Sequence, residues 1–483
     1  MYTLNGKYTN ALMTIDNFEE SCIAQVQQFI NHPAFKNNVV IQPDGHAGKG
    51  AVVGFCMEMS DKIIPNTIGV DIGCSVVTAN IGQKLNITLK KLDEEIRKHI
   101  PMGINIHENE FQIGSLPKFS FKTQFPWKEA NKEAIKFVEK YNKKFNTNYS
   151  IRQDNFDYRW FIGKCNQIGI KSNRAEMSIA SLGGGNHYCE LGKSETTGDI
   201  WCSIHTGSRN FGKCICEFHQ NKAKEILNNK RNVVLKEKIE EITKNTKNKS
   251  KIAELINNAK ENIGINFNFN IKGLEFLEET DAFEYLMDMV FAQKYAEFNR
   301  RQILNIIYEI LGGIQPKEII ETIHNYIDFK DFIIRKGAIR SYKGEKMVIP
   351  LNMRDGTLIC EGKSNPDWNC SAPHGAGRHL SRSAAKQSLD LEKFKKQMRG
   401  IYSTSVCKGT LDESPDSYKN SKMIEKAIEP TAIIVDKLKP ILNIKDKNSG
   451  PSWKERREEK KRKQKRNSER RAVNYQKMKS KMK

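Results

Sequence analysis

The stretch from Val39 to Ala79 constrains this chain most. Its apolar runs are short and repeatedly cut by glycine or proline, as in VVIQPDGHAGKGAVVGFCMEM and then IIPNTIGVDIGCSVVTANIG. Runs so often interrupted cannot sustain helices, so they predict strands joined by tight turns. Residues 87–180 read differently: KKLDEEIRKHI and NKEAIKFVEKYNKKF space their apolar positions three and four apart, which predicts helices. Strand character returns at SLGGGNHYCELG and DIWCSIHTGSRNFG. A long amphipathic helix is predicted from about Ala282 to Leu311, with Phe283, Leu286, Met287, Val290 and Phe291 on its core face. A strand-and-turn region from Phe332 to about Ala384 and further helical segments complete the pattern. Strands and helices mix without a clean βαβ order and no fixed-period repeat occurs, so the expected class is α+β.

At 483 residues the chain can bury one large core or two ordinary ones. Two segments stand apart by composition. Residues 228–265, rich in Lys, Asn and Glu, predict exposed helices forming an insertion. Residues 453–483 carry 15 Lys or Arg against 4 Glu, which is half of the whole net charge of +22. With almost no apolar residues this tail, residues 451–483, is expected to be disordered or a lone charged helix, with attraction to nucleic-acid phosphates as its sharper use. No apolar run approaches a membrane span and the start lacks a signal-peptide plan, so a cytoplasmic location is expected. Eleven cysteines without a CxxC pair suggest reduced thiols; Cys214 and Cys216, in KCICEF, read as one face of a strand.

Reactive polar residues gather beside glycines, where backbone can approach a ligand closely. The clusters are QPDGHAGKG (42–50), GVDIGC (69–74), LGGGNHYCE (182–190), HTGSRNFG (205–212) and APHGAGRHLSRS (372–383). Asp71 and Cys74 around a tight turn can aim a carboxylate and a thiolate at one point; a capped turn beside a buried thiol is the plainer alternative. His187, His205 and His324 extend the set, although each alone is more often structural. Together they exceed what one tetrahedral zinc uses and suit two adjacent metals bridged by the thiolate, which points to phosphoryl chemistry. Arg209, Arg378 and Arg382 offer forked donors to phosphate. Neither a P-loop nor a dinucleotide fingerprint is present. His374, flanked by Gly375, Ala376 and Gly377, is either an exposed imidazole nucleophile or a hydrogen-bonded structural histidine.

In these residues the sequence resembles the RtcB family of RNA ligases, from about Asn38 to about Lys445 and interrupted by the 228–265 insertion. The motifs match in order: QPDGHAGKG, GVDIGC, LGGGNHYCE, HTGSRNFG, His324-Asn325, RKGA at 335–338, HGAGR and DESPDSYKN. The resemblance implies an RtcB-like fold of mixed sheets surrounded by helices over residues 1–450. It implies a two-Mn²⁺ centre on Asp71, Cys74, His187, His205 and His324, with Cys74 bridging. His374 is implied as the nucleophile that takes GMP from GTP. Asn186, Glu190, Gly375, Ala376, Gly377, Arg378, Tyr418 and Lys445 are implied as nucleotide-binding, and Asp44 as lying near the metals. The implied reaction joins an RNA 3′-phosphate or 2′,3′-cyclic phosphate to a 5′-hydroxyl, in a monomer that an archease-like partner could activate. One departure touches the site: where many members read IPGSMG, this chain reads IPLNMRDG, Ile349 to Gly356. A di-metal hydrolase and a non-catalytic RNA-binding protein are the competing readings.

Overall fold

The computed structural model describes residues 1–48, 50–266 and 272–447, together with Arg462. The expected basic tail thus lies, apart from Arg462, outside the described residues, as does Lys49 of the first glycine cluster.

Two sheets dominate. One holds six strands, β1 (Tyr2–Asn5), β2 (Asn10–Met13), β3 (Val39–His46), β4 (Val53–Glu58), β9 (Asn325–Ile327) and β10 (Ile333–Lys336), in the order β1-β2-β3-β4-β10-β9. The other holds seven: β5 (Ser75–Gly82), β6 (Tyr188–Ser194), β7 (Ile200–Thr206), β8 (Glu318–Ile323), β12 (Lys346–Asn352), β13 (Gly356–Gly362) and β15 (Ala432–Ile444), in the order β12-β13-β15-β6-β7-β5-β8. A two-stranded ladder of β11 (Ala338–Arg340) and β14 (Ser371–Pro373) sits apart from both. Only β2 and β3 pair in parallel among these neighbours. The mixed α+β class is therefore observed, with helices packed around the sheets.

The chain passes between the two large sheets at one residue: β8 ends at Ile323 in the seven-stranded sheet and β9 begins at Asn325 in the other. His324 is that residue. At Gly337 the chain passes from β10 of the six-stranded sheet to β11 of the two-stranded ladder, and β14 of that ladder leads directly into His374. The seam between the sheets is thus lined by the segments that carry the chemistry.

The helix Glu279–Ile310 forms the predicted amphipathic element and is buried along most of its length; Leu286, Val290 and Phe291 are fully enclosed, and Phe283 and Met287 nearly so. Phe291 meets the rings of Phe125, Phe156, Trp160, Phe161 and Phe211, a packing that anchors the helices of residues 121–167 on this helix. No helix among the described residues is long and apolar enough to cross a membrane, and no disulfide joins the cysteines.

Two expectations need correction, and the helices expected from residue 228 are present but start within an earlier one. Cys214 and Cys216 lie on the helix Arg209–Asn245, not on a strand: Phe211, Ile215, Cys216, His219, Ala223 and Leu227 bury one helical face. The polar segment from residue 228 is in part the continuation of that same helix, followed by the helix Lys249–Asn266. Finally, AIIVDKLKPILNI, passed over as a sheet element, is β15 and lies between β13 and β6. Pro440 argues against a central strand because it has no N–H to donate. The register shifts between Pro440 and Leu442, which accommodates it.

Candidate active site

The strand register assembles the proposed ligands. Ser75 of β5 pairs with Thr206 of β7 on one side and Ile323 of β8 on the other, so Cys74, His205 and His324 meet at one end of three neighbouring strands. His324 N–H donates to Cys74 O at 3.0 Å, fixing the two against each other. Arg300, buried on the central helix, secures the same ends by donating to Gly73 O at 2.8 Å and Thr206 O at 3.0 Å. His187 precedes β6 and faces the cluster from the glycine turn; Asp71 reaches it from the turn before β5.

The atoms converge closely. Cys74 Sγ lies 3.3 Å from His205 Nε2 and 3.5 Å from His187 Nε2; the Nε2 atoms of His205 and His324 are 3.2 Å apart; and His187 Nε2 is 3.1 Å from Asp71 Oδ2. Two overlapping groups result, Cys74/His205/His324 and Asp71/Cys74/His187, each with its ligand atoms within 4.8 Å of one another. Cys74 is common to both. His205 Nδ1 sits 3.1 Å from the Asn186 carbonyl, so the proton belongs on Nδ1 and the Nε2 lone pair faces the cluster. Burial lowers both His205 and His324 well below the ordinary imidazole value, keeping them neutral and able to ligate. Burial, aided by the Asp71 carboxylate, raises the Cys74 thiol, and a cation is what would reverse that shift. Thiolate, imidazole and carboxylate donors packed this tightly could hold a metal ion in each group.

Close backbone approach is visible at Gly207, where a Cβ would stand 2.4 Å from Asp71 Oδ1. The Asp71 carboxylate instead accepts from Ser208 N–H at 3.0 Å. At Gly377, φ is +70° and a Cβ would lie 2.1 Å from Asp44 O, so a side chain is excluded on both counts.

His374 lies beside the cluster, its ring centroid 4.9 Å from that of His324. Its Nδ1 is 2.6 Å from Oδ2 of Asp44, a residue of β3 with no exposure. The sequence placed Asp44 only near the metals; the structure puts it on the histidine. With Nδ1–H held, Nε2 keeps its lone pair free.

One pocket of about 360 Å³ is lined by every proposed metal ligand, by His374 with Gly375–Gly377, and by Asn186, Glu190, Arg378, Tyr418 and Lys445. Burial raises the Glu190 carboxyl to about 7, and its Oε2 accepts from Asn443 at 2.7 Å. Arg209, expected to reach phosphate, instead donates to Ser181 Oγ at 3.0 Å and Gly103 O at 2.7 Å. Arg382 does line the pocket. In the altered IPLNMRDG segment, Leu351, Asn352 and Met353 face the pocket, whereas Arg354 donates to Asp355 at 2.7 Å beside a neighbouring groove. Sequence reasoning missed His46, Lys336 and Asn443 as lining residues; His46 and Lys336 sat in motifs already singled out, but Asn443 lies on the strand that went unread.

Comparison with known proteins shows which family the chain resembles over most of its length. The family described as tRNA-splicing ligase RtcB matches residues 25–446. The RNA-splicing ligase RtcB of Escherichia coli (strain K12) is 24% identical over 443 residues, covering 87% of this chain and 93% of that protein. The tRNA-splicing ligase RtcB of Nanoarchaeum equitans is 22% identical over 499 residues, covering 88% and 92%. An RNA-splicing ligase RtcB homolog 2 from Entamoeba dispar is 23% identical over 469 residues, covering 88% and 83%.

Proposed function

The chain belongs to the RtcB family, and on that premise we propose that it is a GTP-dependent RNA ligase joining 3′-phosphate or 2′,3′-cyclic phosphate ends to 5′-hydroxyl ends, with residues 1–450 as the ligase domain. The observation that carries this reading is a single pocket holding both a five-residue metal-ligand cluster and a histidine clamped by a buried carboxylate.

The proposed sequence begins with His374. Asp44 Oδ2 holds the Nδ1 proton, so Nε2 attacks the α-phosphorus of GTP, forming an N–P bond as pyrophosphate leaves. Positive charge develops on the ring and is met by the same carboxylate. An RNA 3′-phosphate oxygen then takes the GMP from Nε2, giving RNA(3′)pp(5′)G and freeing the histidine. The 5′-hydroxyl of the second RNA attacks the 3′-phosphorus, and GMP departs. A cyclic phosphate must first be opened by water to the 3′-phosphate. Asp71, Cys74 and His187 on one side, and Cys74, His205 and His324 on the other, would hold two Mn²⁺ ions, which supply charge neutralisation at phosphate oxygens. Arg378, Tyr418 and Lys445, with Asn186, Glu190 and Gly375–Gly377, are proposed to seat the nucleotide. A hydrolase using the same centre would not require His374 to act as a nucleophile.

Purified protein incubated with Mn²⁺ and α-labelled GTP tests the reading directly. An acid-labile protein label in the wild type, absent from His374→Ala, is expected. Label retained by the variant would remove His374 as nucleophile, and an unlabelled wild type that releases phosphate from RNA ends would favour hydrolysis.

A further inference from the structure

Four donors in the pocket wall are held by a residue that is not itself among the lining residues. Glu413 ends a short 3₁₀ segment, Lys408–Glu413, and is 2% exposed. Its Oε1 accepts from Arg378 Nη1 at 3.2 Å and Arg382 Nη1 at 2.7 Å. Its Oε2 accepts from the Tyr418 hydroxyl at 2.7 Å and Lys445 Nζ at 2.9 Å. Both oxygens are therefore filled, and all four partners line the pocket.

These partners come from three parts of the chain, since Arg378 and Arg382 share one motif. Arg378 follows β14, Arg382 opens the helix Arg382–Ser388, Tyr418 follows the turn Pro415–Ser417, and Lys445 follows β15. Glu413 accepts from all four, while Arg378 also reaches the Tyr418 hydroxyl directly at 3.4 Å. Beyond Glu413, Lys445 Nζ makes longer contacts to Asn186 O at 3.3 Å and Gly185 O at 3.4 Å and sits 5.3 Å from the Tyr188 ring centroid. Burial alone would raise the Glu413 carboxyl, but Lys445, Arg382 and Arg378 outweigh it and hold it far below the usual carboxylate range, so the anion is present at any working pH. Asp412 pairs with Arg382 at 2.9 Å and reaches Lys386 at 3.5 Å, so the three pocket-lining cations, Arg378, Arg382 and Lys445, are backed by buried carboxylates while they face the pocket. Such forked and ammonium donors suit a polyanionic ligand.

We propose that Glu413 is a positioning residue of the nucleotide subsite: by accepting from Arg378, Arg382, Tyr418 and Lys445 together, it sets the donors that grip GTP without touching the nucleotide. The inference rests on the reading that this pocket takes GTP. It separates two functions by place. The Asp44–His374 pair governs the rate of transfer, and the Glu413 hub governs how well the nucleotide is held.

Glu413→Gln preserves shape but leaves one acceptor oxygen where two were used, and turns an amide NH₂ toward groups that themselves donate. The concentration of α-labelled GTP giving half-maximal labelling should rise about 10- to 100-fold, the range carried by a lost hydrogen bond to a charged group. The labelling rate at saturating GTP should stay within about threefold of wild type. Lys445→Met should raise half-saturation as well, and in the double variant the shift should fall well short of the product of the two. If Glu413→Gln does not fold, Glu413→Asp, which keeps the charge but withdraws it by one methylene, is read in the same way. Half-saturation within about threefold of wild type, a saturated rate that falls with half-saturation unmoved, or shifts that multiply fully in the double variant would each overturn the proposal. A wild-type protein that takes no label from GTP would instead overturn the reading beneath it.

Discussion

Replacing Asp44 by Asn tests how the nucleophile is prepared. The carboxylate oxygen is 2.6 Å from His374 Nδ1 and fully buried, while the other oxygen, Oδ1, has no partner among the described residues. As Nε2 bonds to phosphorus the imidazole becomes cationic. Delocalised over ring and carboxylate, the charges lie roughly 4 Å apart, and at an effective dielectric near 20 their attraction is about 4 kcal/mol. That corresponds to about 10³-fold in the rate of transfer. Asn is nearly isosteric but neutral, and its NH₂ can face Nδ1, which would move the imidazole proton to Nε2 and block the lone pair. Rapid-quench measurement of label transfer from α-labelled GTP, at saturating nucleotide, should therefore show a loss of about 10³-fold with half-saturating GTP little changed. A folded Asp44→Asn protein that labels within tenfold of wild type would refute the clamp.

Other outcomes follow from the same geometry. Because Cys74 belongs to both ligand groups and His324 to one, Cys74→Ala should lose both metals after loading with Mn²⁺, whereas His324→Ala should retain about one; elemental analysis counts them, and equal losses would contradict a shared thiolate. Burial raises Glu190 above its ordinary value of 4.5 to about 7, so its protonated form favours the folded state; the contribution is full below pH 4.5 and lost as pH climbs through 7. Denaturant titrations of metal-free protein between these values should show wild type losing up to about 3 kcal/mol relative to Glu190→Gln, and parallel pH profiles would disprove it. Phe291→Ala removes a fully buried ring from an aromatic cluster and should cost about 3 to 5 kcal/mol by chemical denaturation; a loss under about 1 kcal/mol would show that the cluster closes over the gap.

How far the fold could be read from the chain varied with the kind of signal. The helix Glu279–Ile310 was legible because its apolar spacing extends over many turns. The helix Arg209–Asn245 was obscured at its start, because KCICEF satisfies a period of two as well as 3.6 over so few residues. β15 went unread because Pro440 and the interspersed lysines imitate a loop, and because its solvent-facing Ile433, Ile434 and Val435 break the alternation that marks a half-buried strand.

The sequence by itself determined the inventory: a carboxylate, a thiol and several imidazoles, each lodged where glycine lets backbone crowd close, and a histidine set among small neighbours. Those choices are local, since a turn needs only the few residues that make it. Only the tertiary structure decided which of them meet. His324 joins Cys74 and His205 because β5 pairs with β7 and β8 in one register. Asp44 meets His374 across a separation of 330 residues. Glu413 gathers four donors from three segments, and Arg209 is diverted to a backbone carbonyl. Such contacts depend on strand order and on where the chain crosses between sheets, quantities set by the packing of the whole core.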